Sequence, residues 1–309
     1  MKAVRIHEFG GPEVLKYEDV PEPHPGQGEI RIRVIAAGVN PMDWKIRKGL
    51  VGKMPLPMIM GLDVAGVVDS LGQGEVPFRP GEEVYAKVSI EEGGYAEYTV
   101  VNSMQVARKP ESIGFIESAA IPTAGLAAWQ ALFDIAGLEK GQSVLIHGAA
   151  GGVGTFAVQF ARWKGAFVTA TASGTNLEFL KSIGANVVIN YTNQRFEDII
   201  SNMDVVLDTV GGDTFDRSWR VLKPGGFLVS TVASIPEGAA EKHGVRAQTL
   251  VTRADGKELA QIAEVIDEMQ VKPVVTTILS LSDAQKAHEL SESRHMRGKI
   301  VLLVGEGPE

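Results

Sequence analysis

A chain of 309 residues, 44% of them hydrophobic, can bury a sizeable core and is long enough for two domains. Its formal charge of -8 argues against broad affinity for nucleic-acid phosphates, which needs clustered Lys and Arg, and the lack of cysteine removes disulfides and thiolate metal sites. No charged amino end precedes an apolar run and no stretch reaches the ~18 apolar residues of a membrane span, so the cytoplasm is the expected location.

Up to about residue 115 the chain shows short alternating runs, such as Glu29 to Ala36 and Val64 to Leu71, separated by turns such as Pro25-Gly26 and Pro80-Gly81. That pattern predicts a β-rich domain. Lys2, Arg5, Arg31, Arg33, Lys45 and Arg47 mostly fall on these runs beside apolar neighbours, as on a solvated sheet face.

From Ser118 the period lengthens. Ser118 to Ile135 reads as a helix, and strands and helices then alternate through Ser143–His147, Val153–Lys164, Phe167–Ala172, Asn176–Ile183, Val187–Ile189, Asp204–Thr209, Thr214–Val221 and Gly226–Val232. This alternation predicts a doubly wound parallel sheet, an α/β domain closed by a helix from Gly256 to Met269. The tail holds a helix, Ser282 to Arg294, and a strand, Lys299 to Val304, that could dock back on the first domain. The expected division is 118–269 for the parallel-sheet domain, with 1–117 and 270–309 forming the other.

The run V-L-I-H-G-A-A-G-G-V-G, Val144 to Gly154, joins a buried strand, a glycine-rich turn and a helix whose Val153, Phe156, Ala157, Phe160 and Ala161 share one face. Gly151 and Gly154 keep the Gly-x-x-Gly half of a dinucleotide fingerprint, with Ala149 in the first glycine's place. Ala150, Gly151, Gly152 and Val153 are the candidate phosphate contacts, presenting amides at the positive end of the helix dipole. At the end of the next strand an NAD site places Asp or Glu on the ribose 2′-hydroxyl; this chain has Ala172, Ser173, Gly174, Thr175 and Asn176. A 2′-phosphate meets no repulsion there, and Ser173 and Asn176 can donate to it. NADPH is therefore the expected cofactor, without the arginine clamp usual for it; Asn176 alone also suits a solvated turn.

Six segments together carry a resemblance: the opening M-K-A-V-R-I-H-E-F-G-G-P-E-V-L, A-A-G-V-N-P-M-D-W-K-I-R-K-G (Ala36 to Gly49), G-L-D-V-A-G-V-V (Gly61 to Val68), the A-A-G-G-V-G turn, G-A-N-V-V-I-N-Y (Gly184 to Tyr191) and G-K-I-V-L-L-V (Gly298 to Val304). The chain resembles, end to end, the zinc-independent quinone oxidoreductases of the medium-chain dehydrogenase/reductase superfamily, the zeta-crystallin type. The resemblance implies a GroES-like β-rich catalytic domain, a Rossmann domain, an active-site cleft between them and a homodimer. Where zinc-dependent relatives carry a cysteine and a Gly-His-Glu, this chain has Asn40-Pro41-Met42-Asp43 and Gly61-Leu62-Asp63, so no metal is expected. His7, His24, His147, His243, His288 and His295 show no ligand spacing and are expected as surface or packed residues.

Without a Lewis acid the hydride acceptor must delocalise its own developing charge, as a quinone or an α,β-unsaturated carbonyl does. By the resemblance Asn40 lines the substrate pocket and its amide could donate to a carbonyl oxygen; it also suits a turn before Pro41. Lys45 stands where the best-known quinone reductases have a tyrosine, and its ammonium could polarise the same oxygen or face solvent. Asp43 is expected to hold local structure, and Trp44 to be a stacking wall or core. The resemblance places Thr123 near the nicotinamide and Tyr191 near the 2′-phosphate. Val210, and Val232, Ala233 and Ser234, lie at the carboxyl ends of two later strands, where open α/β sheets bind ligands. The expected activity is NADPH-dependent quinone reduction; the alternatives are reduction of enones, alkenals or enoyl thioesters, and a non-enzymatic NADPH-binding role.

Overall fold

In the computed structural model, which describes residues 1–52, 54–293 and 296–305, the chain forms two units. Met1–Ala124, Ala254–Met269 and Pro273–Glu309 make up the first, and Gly125–Arg253 with Gln270–Lys272 the second.

The alternating runs of the amino-terminal part become strands: β1 (Lys2–Ile6), β2 (Lys16–Asp19) and β3 (Glu29–Val39). The helix α1 (Pro41–Arg47) follows, then β4 (Met58–Ile59), β5 (Asp63–Leu71), β6 (Glu83–Lys87), β7 (Tyr98–Asn102) and β8 (Val106–Arg108). β3 is central. Ile30, Ile32 and Val34 alternate toward the core, and from Val34 onward every residue is buried, because the helix α2 (Phe115–Ala119) covers the second face. Gly38 permits that cover: a Cβ there would lie 2.2 Å from the Ala119 carbonyl oxygen. Arg47 departs from the expected solvated face. It is fully buried, its guanidinium donating to the Gly10 carbonyl and Glu292 and lying 3.2 Å from His288 Nδ1.

The single helix expected over Ser118 to Ile135 is instead α2, a new helix α3 (Pro122–Trp129) and a π-helical continuation over Gln130–Ile135. Pro122 is the cause: without an N–H it cannot continue α2, yet it suits a helix's first turn.

The second unit is a six-stranded, wholly parallel sheet. Its elements are β9 (Ser143–Ile146), α4 (Gly152–Lys164), β10 (Phe167–Ala172), α5 (Leu177–Ser182), β11 (Val187–Asn190), β12 (Met203–Asp208), α6 (Gly212–Ser218), β13 (Leu222–Ser230), α7 (Ala239–His243) and β14 (Arg246–Thr249). The order β11-β10-β9-β12-β13-β14 is that of a doubly wound dinucleotide fold, with its switch point between β9 and β12. β14 escapes a sequence reading because it is an edge strand of polar composition. Two buried glutamines hold the segments that return to this unit. Gln130 donates to the Arg253 carbonyl and accepts from its N–H, and Gln159 does the same with Lys272.

The remaining elements, α8 (Gly256–Asp267), β15 (Val275–Ser280), α9 (Ala284–Glu292) and β16 (Lys299–Leu303), belong to the first unit. The tail docks back as expected: β16 runs antiparallel to β3, with Ile300 opposite Val39, and completes the order β15-β16-β3-β5-β6-β8. The expected helix Ser282 to Arg294 is α9; Arg294, like His295, lies outside the described residues. The division differs from 118–269 at both ends. Helix α8 packs with the first unit, where Tyr85 donates to the Leu259 carbonyl at 2.5 Å, Asp267 accepts from the Ser112 amide at 2.9 Å, and Gly256 sits against the Val106 carbonyl. Its apolar face was legible; which sheet that face covers was not.

Candidate active site

The glycine-rich turn opens α4 at the switch point of the parallel sheet. Gly148 takes φ +66°. A side chain there would meet Thr209 Oγ1 at 2.4 Å, so Gly148 is the tight-turn glycine. Ala149, assigned that place from the fingerprint, is instead fully buried beneath the turn. Gly154 permits close packing, since a Cβ would lie 2.4 Å from the Gly148 oxygen and 2.5 Å from Ala149 Cα. Gly151 is less confined: its Cβ would lie 3.3 Å from the Gly148 oxygen, a tight contact that a shift of a few tenths of an ångström relieves. Ala150 is buried, Gly151, Gly152 and Val153 are half-buried, and the last three open a thirteen-residue helix whose first amides point out of the turn.

The ends of β12 and β13 are held by one carboxylate, which the sequence reading passed over. Asp208 is fully buried; Oδ1 accepts from the Val210 and Gly211 amides at 3.0 and 2.9 Å, and Oδ2 accepts from Ser230 Oγ at 2.8 Å. Ser230 Oγ in turn accepts from the amides of Val232 and Ala233. Val210 and Val232 are left 51% and 45% exposed. Both valines thus stand exposed just beyond the carboxyl ends of two adjacent parallel strands, where open α/β sheets bind ligands. Ala233 is half-buried and Ser234 exposed beside them.

At the end of β10, Ser173, Thr175 and Asn176 form a turn in which Asn176 Nδ2 donates to Ser173 Oγ at 3.1 Å. The Tyr191 amide donates to the Ala172 carbonyl, so Tyr191, 57% exposed, leaves β11 beside the carboxyl end of β10. The structure thus brings Ser173, Asn176 and Tyr191 together. His147, at the end of β9, is a packed residue: burial first and Arg217 second push its pKa down to about 3. Ser218 donates its hydroxyl proton to the Thr214 carbonyl, so His147 Nε2 donates to Ser218 and Nδ1 accepts from Thr171.

In the first unit, buried Asn40, Asp43, Asp63, Tyr95 and Lys299 and half-buried Thr123 form one polar network. Asn40 caps α1; its amide N–H donates to Asp43 Oδ2 at 2.8 Å, and Tyr95 donates to the same oxygen. Asn40 Nδ2 donates to Asp63 Oδ2 at 2.8 Å, while Lys299 donates to Asn40 Oδ1 and to the Val39 carbonyl and lies 3.6 Å from Asp63. Thr123 donates through both its amide and its hydroxyl to Asp63 Oδ1. One Asn40 Nδ2 hydrogen keeps no protein partner among the described residues. Burial pushes the Asp43 carboxyl up to about 7, against the hydrogen bonds from Asn40 and Tyr95, and pulls the Lys299 ammonium down, opposed by Asp63 and Asp43. Lys45 lies half-buried in the last turn of α1, its ammonium 5.8 Å from the Trp44 ring centre, outside this network. Trp44 is core.

Residues 26–111 match the family described as alcohol dehydrogenase GroES-like domain, and residues 183–302 the family described as zinc-binding dehydrogenase. The chain is 33% identical to the quinone oxidoreductase of Rattus norvegicus over 98% of each protein. It belongs to the zeta-crystallin-type quinone oxidoreductases of the medium-chain dehydrogenase/reductase superfamily. This medium-chain reductase is also 35% identical to the chloroplastic NADPH-dependent alkenal/one oxidoreductase of Arabidopsis thaliana, over 98% of its own length and 79% of that protein. It superposes on the quinone oxidoreductase of Escherichia coli complexed with NADPH with a TM-score of 0.90 at 28% identity, over 98% and 100% of the two chains. Although one matched family is described as zinc-binding, the medium-chain reductase has no cysteine, and Asn40 and Asp63 are engaged with Lys299 and Thr123. No three His, Asp or Glu side chains converge as ligands among the described residues.

Proposed function

We propose that this protein is an NADPH-dependent quinone oxidoreductase. The observation that carries the reading is the glycine-built turn at the switch point of the parallel sheet together with the acid-free turn after β10, and it is supported by relatives named quinone oxidoreductase and by the NADPH complex of the Escherichia coli neighbour. Bound NADPH would supply the hydride; the quinone takes it with one proton and becomes a hydroquinone, leaving NADP⁺. Ala150, Gly151, Gly152 and Val153 hold the pyrophosphate on the positive end of α4. Ser173, Asn176 and Tyr191 receive the 2′-phosphate. Val210, Val232, Ala233 and Ser234 flank the nicotinamide, with Thr123 as a further contact. Asn40 donates its remaining N–H to the acceptor's carbonyl oxygen, and Lys45 adds positive charge toward it. A second reading, reduction of an enone or alkenal carbon–carbon double bond, is favoured by the Arabidopsis relative's name and needs the same hydride and donor arrangement. A homodimer is proposed from the family and from β14, whose outer edge pairs with no strand among the described residues. The cytoplasm is proposed from the cysteine-free composition; no helix among the described residues is long and apolar enough to cross a membrane.

The test is NADPH oxidation with 1,4-benzoquinone, 9,10-phenanthrenequinone, 2-alkenals and a crotonyl thioester, with NADH in parallel. Turnover of the quinones with at least roughly ten-fold preference for NADPH is expected, and Ser173→Asp should abolish that preference by placing an acid against the 2′-phosphate. Turnover of the alkenals alone would shift the assignment to the second reading. Equal rates with NADH would overturn the cofactor, and NADPH binding without turnover of any acceptor would overturn the enzyme.

A further inference from the structure

We propose that Lys299 and Asp63 act as positioning residues that lock Asn40 as a hydrogen-bond donor toward the reacting carbonyl oxygen. The inference rests on the reading above in which Asn40 meets that oxygen. A carboxamide has an acceptor end and a donor end of nearly equal shape, so burial and packing alone leave its polarity open. Here ions decide it. Lys299 is an ammonium, with three hydrogens and no lone pair; it faces three oxygens, Val39 O at 2.9 Å, Asn40 Oδ1, and Asp63 Oδ2 at 3.6 Å. Asp63, fully buried, only accepts, and takes Asn40 Nδ2–H at 2.8 Å. Turning the Asn40 amide over would set its NH₂ against the ammonium and its oxygen against the carboxylate, two like-polarity contacts where water cannot screen them. The second Nδ2–H is therefore fixed as a donor.

Thr123 is set the opposite way. Its hydroxyl proton goes to Asp63 Oδ1 at 2.5 Å, which leaves lone pairs as the only polarity it offers. One ion pair thus writes a donor and an acceptor into neighbouring groups, and Lys299, at 4% exposure, and Asp63, at 0%, do so from beneath. A donor matches an oxygen that gains negative charge as hydride arrives, whereas a flipped amide would present a lone pair to that charge.

The experiment compares wild type with Asn40→Ala, Lys299→Met, the double variant of these two, and the charge-neutral pair Lys299→Met with Asp63→Asn. Each is measured for quinone turnover at saturating NADPH, for NADPH affinity by cofactor fluorescence, and for the infrared C=O stretch of a ¹³C-carbonyl quinone bound with NADP⁺. Asn40→Ala and Lys299→Met should each lower kcat by roughly ten- to a hundred-fold, as loss of one oxyanion donor does, and return the C=O stretch to its solution value. NADPH affinity should stay within about two-fold, and the double variant should be no slower than Asn40→Ala, because both changes remove one interaction. The neutral pair removes the polarity without stranding a buried charge, so it should show the same loss and decides the matter if Lys299→Met does not fold. Wild-type turnover and C=O frequency in the neutral pair, or losses that add in the double variant, would overturn the positioning role while leaving Asn40 in place. Unchanged kcat and frequency in Asn40→Ala would overturn the reading of Asn40 itself.

Discussion

The polar centres of the two units are made of different materials. In the second unit the glycine-rich turn and the strand ends beside it are main chain: bare glycines, helix amides, and one hidden carboxylate, Asp208, that holds one loop through its backbone N–H groups and a second through Ser230. In the first unit the polar centre is side chain: buried Asn40, Asp43, Asp63, Tyr95 and Lys299 and half-buried Thr123 bond to one another. A main-chain site tolerates any side chain that keeps the backbone path, whereas a buried side-chain network depends on every member and on the charge each carries.

That contrast can be broken from either side. The largest expected effect is on the charged centre. Asp43 has a folded pKa of about 7 against an ordinary 3.8, so the stability it contributes is present below about pH 4 and lost as pH rises to about 7, roughly 4 kcal/mol in all. His147 and His288 act with the opposite sign: their folded values near 3 contribute stability above about pH 6.5 that is lost on acidification. Urea denaturation between pH 4.5 and 7.5 should therefore show Asp43→Asn gaining stability with pH more steeply than wild type; parallel profiles would mean that Asp43 stays ionised throughout.

Next is the main-chain site. Gly154→Val forces Cβ into the Gly148 and Ala149 backbone, which cannot give way as a flexible side chain would, and should cost about 3 kcal/mol together with NADPH binding, read by thermal melts and cofactor fluorescence. Asp208→Ala strands the Val210 and Gly211 amides and should cost about 2 kcal/mol, weakening NADPH binding while the first unit keeps its hydrogen-exchange protection. Equal loss of protection in both units would erase the distinction. Smallest is Lys45→Ala, expected to lower kcat about five-fold with NADPH affinity unchanged, since Lys45 lies outside the buried network. Unchanged turnover would remove Lys45 from the reaction.

The same contrast explains what could be read from the sequence. A backbone site leaves a local signature, because the glycines that allow it are consecutive or nearly so. The close packing at Gly154 was legible on spacing alone, although the tight-turn role fell to Gly148, whose positive φ no spacing reveals. Val210 and Val232 were legible as strand ends. The side-chain network has no local signature: Asn40 and Lys299 are brought together only by the pairing of β16 with β3, and Asp63 and Thr123 only by the course of β5 and α3. Asp63 was noticed merely as a departure from a zinc motif, and Lys299 as part of a resemblance. Arg47 misled for a related reason, since a basic residue beside apolar neighbours reads as solvated until its partner Glu292 is seen.

The pairing of β16 with β3 also sets a timetable for synthesis. The six parallel strands of the second unit are complete once Thr249 has emerged from the ribosome, so that unit can close while translation continues. The first unit, begun earlier, must wait with one edge of its central strand open until Lys299 to Leu303 are made. Until then Ala36 to Val39 present bare backbone to any other strand, and the nascent chain is most open to wrong partners in the half that was translated first.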